Sequence, residues 1–155
     1  MAPSGTVLLV NSFDGREMYA DHLRANALIV RDADSPEAAL RALDATDPHV
    51  VVTDVMFPRS GVDGADFLRA LRARVDGATS IIVVSAFVRQ EDRDKARAAG
   101  ADLYLHKPAL PAAVLYEVRR ALILRRSGRR LPWNWRDTPA APVRVDVDRR
   151  QPRAS

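Results

Sequence analysis

Three consecutive valines, Val50-Val51-Val52, run through Thr53 into Asp54 and then into a loop containing Pro58, with Gly64 beyond it. β-branched apolar residues without polar alternation need burial on both faces, which a parallel sheet covered by helices provides. A carboxylate where such a strand ends lies at the edge where open α/β sheets bind ligands. Asp54 is therefore a metal ligand, a nucleophile, or an N-cap for the segment that follows.

The rest of the chain repeats the same unit. Strand patterns fall at Thr6–Val10, Ala27–Val30, Val50–Thr53, Ser80–Ser85 and Asp102–Leu105. Helical stretches follow each of them, at about Gly15–Arg24, Pro36–Leu43, Gly64–Arg74, Gln90–Ala99 and Pro111–Arg126. Ser35-Pro36-Glu37 supplies an N-cap and a proline at the first helical position. Gly100 suits the end of the fourth helix, where a left-handed residue is wanted. Leu110, Val114, Val118, Ala121 and Leu122 form one apolar stripe on the fifth helix. Five βα units with short loops predict a five-stranded, doubly wound parallel sheet.

Charge divides the chain. The net charge of +4 resides in the last thirty or so residues, while the part before them is slightly acidic. Residues 1–126 are expected to form the domain. Residues 127–155, rich in arginine and proline, are expected to be a disordered or loosely docked tail without an effector domain. The chain has no cysteine, so disulfide scaffolds and thiolate metal sites are excluded. It shows neither a signal-peptide pattern at its start nor an apolar run near the roughly 20 residues of a membrane span. A cytoplasmic protein without membrane association is expected.

Polar groups at three strand ends can meet at one edge of the sheet. Asp54 follows the third strand, Ser85-Ala86 ends the fourth, and the fifth runs into Lys107-Pro108. A carboxylate, a hydroxyl and a cation are the parts needed to receive a phosphoryl group, with Asp54 as nucleophile and Ser85 and Lys107 binding the phosphoryl oxygens. Lys107 is one of only two lysines in a chain rich in arginine. No Gly-rich phosphate loop follows the first strand, which argues against a hydrolase or a nucleotide-binding enzyme.

With Thr53-Asp54-Val55-Met56-Phe57-Pro58 and Gly64, Ser85-Ala86, and Gly100-Ala101-Asp102-Leu103-Tyr104-Leu105-His106-Lys107-Pro108 in order, the chain resembles the receiver domains of two-component response regulators over about residues 5–125. The resemblance implies a flavodoxin-like (βα)5 fold and a phosphoacceptor domain rather than an enzyme, with at most self-catalysed transfer and autodephosphorylation. It implies Asp54 as phosphoacceptor, Ser85 as the hydroxyl that moves toward the phosphoryl group, and Tyr104 as the aromatic switch residue that turns inward. It further implies Lys107 as the family lysine, a cis Lys107–Pro108 bond, and the Met56 backbone carbonyl as a ligand of Mg²⁺. Implied partners are a sensor histidine kinase or histidine phosphotransfer protein, and a downstream protein or second copy at the face of helix four, strand five and helix five.

One part of the family pattern is missing. Receivers carry an acidic pair after the first strand to hold Mg²⁺, whereas this chain has Asn11-Ser12. Mg²⁺ binds through carboxylates and water in octahedral geometry. Asp54 with the Met56 carbonyl, and weakly Ser12, would therefore bind it poorly or not at all. Asp14 is expected to cap the first helix. The alternative function is thus a pseudo-receiver that takes no phosphoryl group and binds a partner constitutively. A third reading uses the tail arginines (Arg125, Arg126, Arg129, Arg130, Arg149, Arg150, Arg153) and Trp133-Asn134-Trp135 to bind nucleic acid or another polyanion. Against it stands a solubilising tail with its tryptophans folded back on the domain. His22, His49 and His106 lack metal-ligand spacing.

Overall fold

The computed structural model describes residues 5–11, 15–87 and 89–136. Among the described residues six parallel strands alternate with five helices: β1 (Thr6–Val10), α1 (Arg16–Ala25), β2 (Ile29–Ala33), α2 (Pro36–Ala45), β3 (Val50–Thr53), α3 (Gly64–Arg74), β4 (Ser80–Ser85), α4 (Gln90–Ala98), β5 (Leu103–His106), α5 (Pro111–Arg125) and β6 (Asn134–Arg136). The sheet order is β2-β1-β3-β4-β5-β6. β1 lies between β2 and β3, so the chain reverses its direction of winding there and opens a crevice at the carboxyl ends of β1 and β3.

Period-two alternation assigns the side chains to two apolar layers. Val7, Leu9, Val50, Val52, Ile82, Val84, Leu103 and Leu105 face α1 and α5, packing with Leu23, Val114, Val118 and Leu122. Leu8, Val10, Val51, Ile81, Val83 and Tyr104 face the other way, onto Phe67, Leu68, Leu71 and Ala96 of α3 and α4. All four residues of β3 are buried, as the valine run requires.

The caps follow local chemistry. The Ser35 hydroxyl accepts from the Ala38 amide at 3.1 Å, with Pro36 opening α2. Gly100 adopts φ +110° just after α4, where an L side chain would be strained. The N-cap position of α1 falls on Gly15, and Asp14 lies outside the described residues.

Four expectations change. β2 runs from Ile29 to Ala33 rather than over Ala27–Val30. Ala27 takes a positive φ of 66° in the turn that closes α1, and the edge strand continues through exposed Arg31 and Asp32. The fifth strand starts at Leu103, with Asp102 buried just before it. Leu110 caps α5 from outside the stripe and is exposed, whereas Val114, Val118, Ala121 and Leu122 are buried. The sheet has six strands rather than five, because residues beyond α5 return to pair with β5. Leu131 there is buried, and its amide donates to the Ser80 hydroxyl at 2.9 Å. Residues 137–155, including Arg149, Arg150 and Arg153, lie outside the described residues.

Candidate functional site

Asp54 leaves β3 with its amide still in the ladder, donating to the Val10 carbonyl at 3.0 Å. Its side chain is almost fully buried, so each oxygen needs a partner. Oδ1 accepts from the Val55 and Met56 amides at 2.7 and 3.1 Å, which is the capping role open to it from sequence. Oδ2 receives the Lys107 ammonium at 2.6 Å, across 53 residues of sequence. The carboxylate is therefore both turn cap and ion-pair partner.

Gly64 explains how the loop after Asp54 can be so tight. A Cβ there would stand 2.2 Å from the Val55 carbonyl oxygen and 2.9 Å from the Val55 Cβ. Asp63 caps α3 by accepting from the Ala65 and Asp66 amides, which presses the helix start against Val55. Val55, Asp63, Gly64, Phe87, Asp92 and Lys95 line a cleft of about 140 Å³ beside this loop.

Lys107 is fixed from behind. Its amide donates to the Ser85 carbonyl at 2.7 Å, continuing the β4–β5 pairing, and the Lys107–Pro108 bond is cis, as the resemblance implied. The Tyr19 hydroxyl donates to the Ala109 carbonyl at 2.6 Å and so ties the loop after Lys107 to α1. Burial, and secondarily the charge of Asp54, hold the Tyr19 hydroxyl above its ordinary pKa, keeping it a neutral donor.

Ser85 is fully buried at the end of β4, and its hydroxyl accepts from the Phe87 amide at 3.2 Å. Tyr104 is 1% exposed, and its hydroxyl donates to the Phe87 carbonyl at 2.9 Å. Burial raises the Tyr104 pKa, against the opposing pull of its hydrogen bond with Ser85. Ser85 and Tyr104 thus share the short segment at Phe87, and the ring occupies the inward position.

Of the expected Mg²⁺ donors, Asp54 and Met56 fall among the described residues, both just beyond the end of β3. No group of three or more His, Cys, Asp or Glu side chains among the described residues is placed to hold a metal ion. Asn11 is buried at the end of β1, where an Arg16 guanidinium nitrogen donates to its backbone carbonyl at 3.0 Å. An uncharged side chain, with a guanidinium bonded to its own backbone carbonyl, is a poor setting for a divalent cation, which favours oxygen anions. Ser12 and Asp14 lie outside the described residues. Met56 is partly exposed at the rim of the site.

Sequence reasoning missed Arg16 and Tyr19, whose roles depend on α1 docking over the β1 and β5 loops. It also missed Asp102, which lies at the opposite end of the sheet. Asp102 is paired there with Arg72 at 2.6 Å and Arg130 at 3.1 Å. The His49 ring accepts from the Thr6 amide at 3.1 Å, a structural bond at the start of β1.

Residues 8–119 match the response regulator receiver domain. The chain belongs to that family. PetR of Rhodobacter capsulatus is 31% identical over 134 residues, which are 86% of this chain and 54% of that protein. The transcriptional regulatory protein PrrA of Mycobacterium tuberculosis is 32% identical over 133 residues, with 86% and 55% covered. The chain spans about half the length of these curated relatives. Among solved structures, a putative response regulator from Chloroflexus aurantiacus superposes with a TM-score of 0.69 at 30% identity, covering 77% of this chain and 98% of that one. The chemotaxis protein CheY4 of Vibrio cholerae gives 0.69 at 25% identity, covering 76% and 98%. Receiver domains are regulatory domains of two-component signalling rather than general enzymes, and this chain has their fold. No helix among the described residues is long and apolar enough to cross a membrane.

Proposed function

We propose that this receiver accepts a phosphoryl group on Asp54 from a phosphohistidine donor, a sensor kinase or a phosphotransfer protein. The observation that carries the reading is the buried Asp54 carboxylate bonded at 2.6 Å to the Lys107 ammonium at the carboxyl edge of the sheet. An Asp54 oxygen forms the new P–O bond while the donor's P–N bond breaks and the imidazole leaves. Lys107 stays at hand to neutralise the charge gathering on the phosphoryl oxygens. The Ser85 hydroxyl, now accepting from the Phe87 amide, moves to donate its proton in a hydrogen bond to a phosphoryl oxygen. Tyr104, bonded to the same segment, carries the change toward α4 and β5. The donor would approach over an apolar groove of about 570 Å³ bounded by Met18, Tyr19, Ala86, Lys107 and Pro108.

A second reading rests on a specific observation: Asn11, with Arg16 on its carbonyl, stands where the family holds Mg²⁺ with carboxylates. On that reading the chain is a pseudo-receiver that binds its partner without phosphorylation. Intact mass after incubation with acetyl phosphate, with and without Mg²⁺, separates the two. One added phosphoryl group, absent in Asp54→Asn, supports phosphorylation, and its dependence on Mg²⁺ reports whether the site can recruit the ion. A folded wild type that gains no mass at any Mg²⁺ concentration leaves the pseudo-receiver.

A further inference from the structure

The outer edge of β5 is not open. Residues beyond α5 turn back at Gly128 (φ +70°), and β6 pairs along β5 with Leu103 opposite Asn134, Tyr104 opposite Trp135, and Leu105 opposite Arg136. An unpaired strand edge exposes a row of amides and carbonyls that any extended segment can use. Which segment is accepted here depends on what flanks the edge.

Two acidic anchors stand one at each end. Glu117 of α5 is fully buried, pairs with its own helix neighbour Arg120 at 2.6 Å, and takes Arg136 of the incoming strand at 2.9 Å. Asp102 has the same arrangement, with Arg72 from the domain at 2.6 Å and Arg130 from the incoming segment at 3.1 Å. Each carboxylate therefore has one resident arginine and one delivered arginine. Between them, Arg93 of α4 lies 3.8 Å over the Trp135 ring and Arg97, one turn on, lies 5.6 Å from the Trp133 ring. Guanidinium groups stacked on indoles are favourable contacts at partly exposed sites. Leu131 fills the remaining apolar position and is 3% exposed.

We infer that the groove between α4 and α5 along β5 is a docking site for an extended segment with two tryptophans bracketed by arginines, and that residues 128–136 occupy it in cis. A segment of a partner that pairs along the β5 edge has to displace the resident one first. The inference does not depend on whether Asp54 is phosphorylated.

The test uses the full chain and a fluorescently labelled peptide of residues 128–136. In the double variant Trp135→Ala, Arg136→Ala, hydrogen exchange at residues 134–136 is expected to lose its protection while β1, β3 and β4 keep theirs. The released variant is expected to bind the peptide saturably. A peptide with the same two substitutions is expected not to bind. A short tether gives the resident segment an effective concentration on the order of 1 mM. For a free edge that binds the peptide near ~0.1 mM, the wild type would therefore bind about tenfold more weakly than the variant. A released variant that ignores the peptide, or a wild type that binds it equally well, overturns the assignment. So does a variant whose β6 stays protected, since the named contacts would not then be what seats the strand.

Discussion

Gly64→Ala tests the geometry on which the site depends. The added Cβ would meet the Val55 carbonyl oxygen at 2.2 Å, well inside the 3.4 Å at which ordinary contact begins, and the obstacle is backbone rather than a flexible side chain. Overpacking of that kind costs about 1–3 kcal/mol. Alanine's better helix propensity, at most about 1 kcal/mol in a helix interior and less at the first position, offsets part of it. A net loss of about 1–2 kcal/mol is expected, which in a domain of this size lowers Tm by roughly 2–8 °C. Gly61→Ala is the control, since nothing lies within 4 Å of a Cβ there, and its effect should stay within about 0.5 kcal/mol. Urea unfolding followed by circular dichroism measures both variants, with unchanged m-values showing that only stability moved. Because the Val55 amide holds Asp54 Oδ1, Gly64→Ala should also slow labelling by acetyl phosphate in any wild type that labels. Equal stability of the two variants would refute the close approach of α3 to the Asp54 loop.

Arg72→Met should destabilise the domain by about 3 kcal/mol, because it removes the 2.6 Å partner of buried Asp102 and bonds to the Gly100 and Thr79 carbonyls. Arg72→Lys should recover little of that loss, since a point ammonium cannot reproduce the fork, and a lysine variant of wild-type stability in urea would count against this account. Stability should also fall as pH rises above about 10. Burial holds the Tyr19 and Tyr104 hydroxyls above their ordinary 10.0, so the unfolded chain releases those protons first and binds fewer than the native state. Tyr104→Phe should flatten that decline while costing about 1 kcal/mol at neutral pH for its bond to the Phe87 carbonyl. Unfolding midpoints measured across the alkaline range check this, and an unchanged slope in both Tyr104→Phe and Tyr19→Phe would exclude the tyrosines as its source.

Much of this protein was legible in the chain because its determinants are local. The Val50–Val52 run forces a strand buried on both faces, Ser35-Pro36 starts a helix, and Gly100 ends one, each through contacts within a few residues. Their places at three strand ends singled out Asp54, Ser85 and Lys107, and the family resemblance added Tyr104. In the fold Lys107 reaches Asp54, and Ser85 and Tyr104 share the segment at Phe87. What the chain could not show by itself is set by pairings between distant segments. The Asp54–Lys107 bond spans 53 residues, and the Tyr19 hydroxyl reaches the Ala109 carbonyl across 90. The charged, proline-interrupted segment after α5 lacks the alternation of a strand, so nothing local marks Asn134–Arg136 as β6. It becomes one because Glu117 and Asp102 each accept a second arginine from it and the β5 edge offers unpaired backbone groups. Sequence patterns record what each residue requires of its neighbours in the chain. Only the folded sheet decides which distant charges and strand edges meet, because burial makes a lone carboxylate or an open edge too costly to leave unmatched.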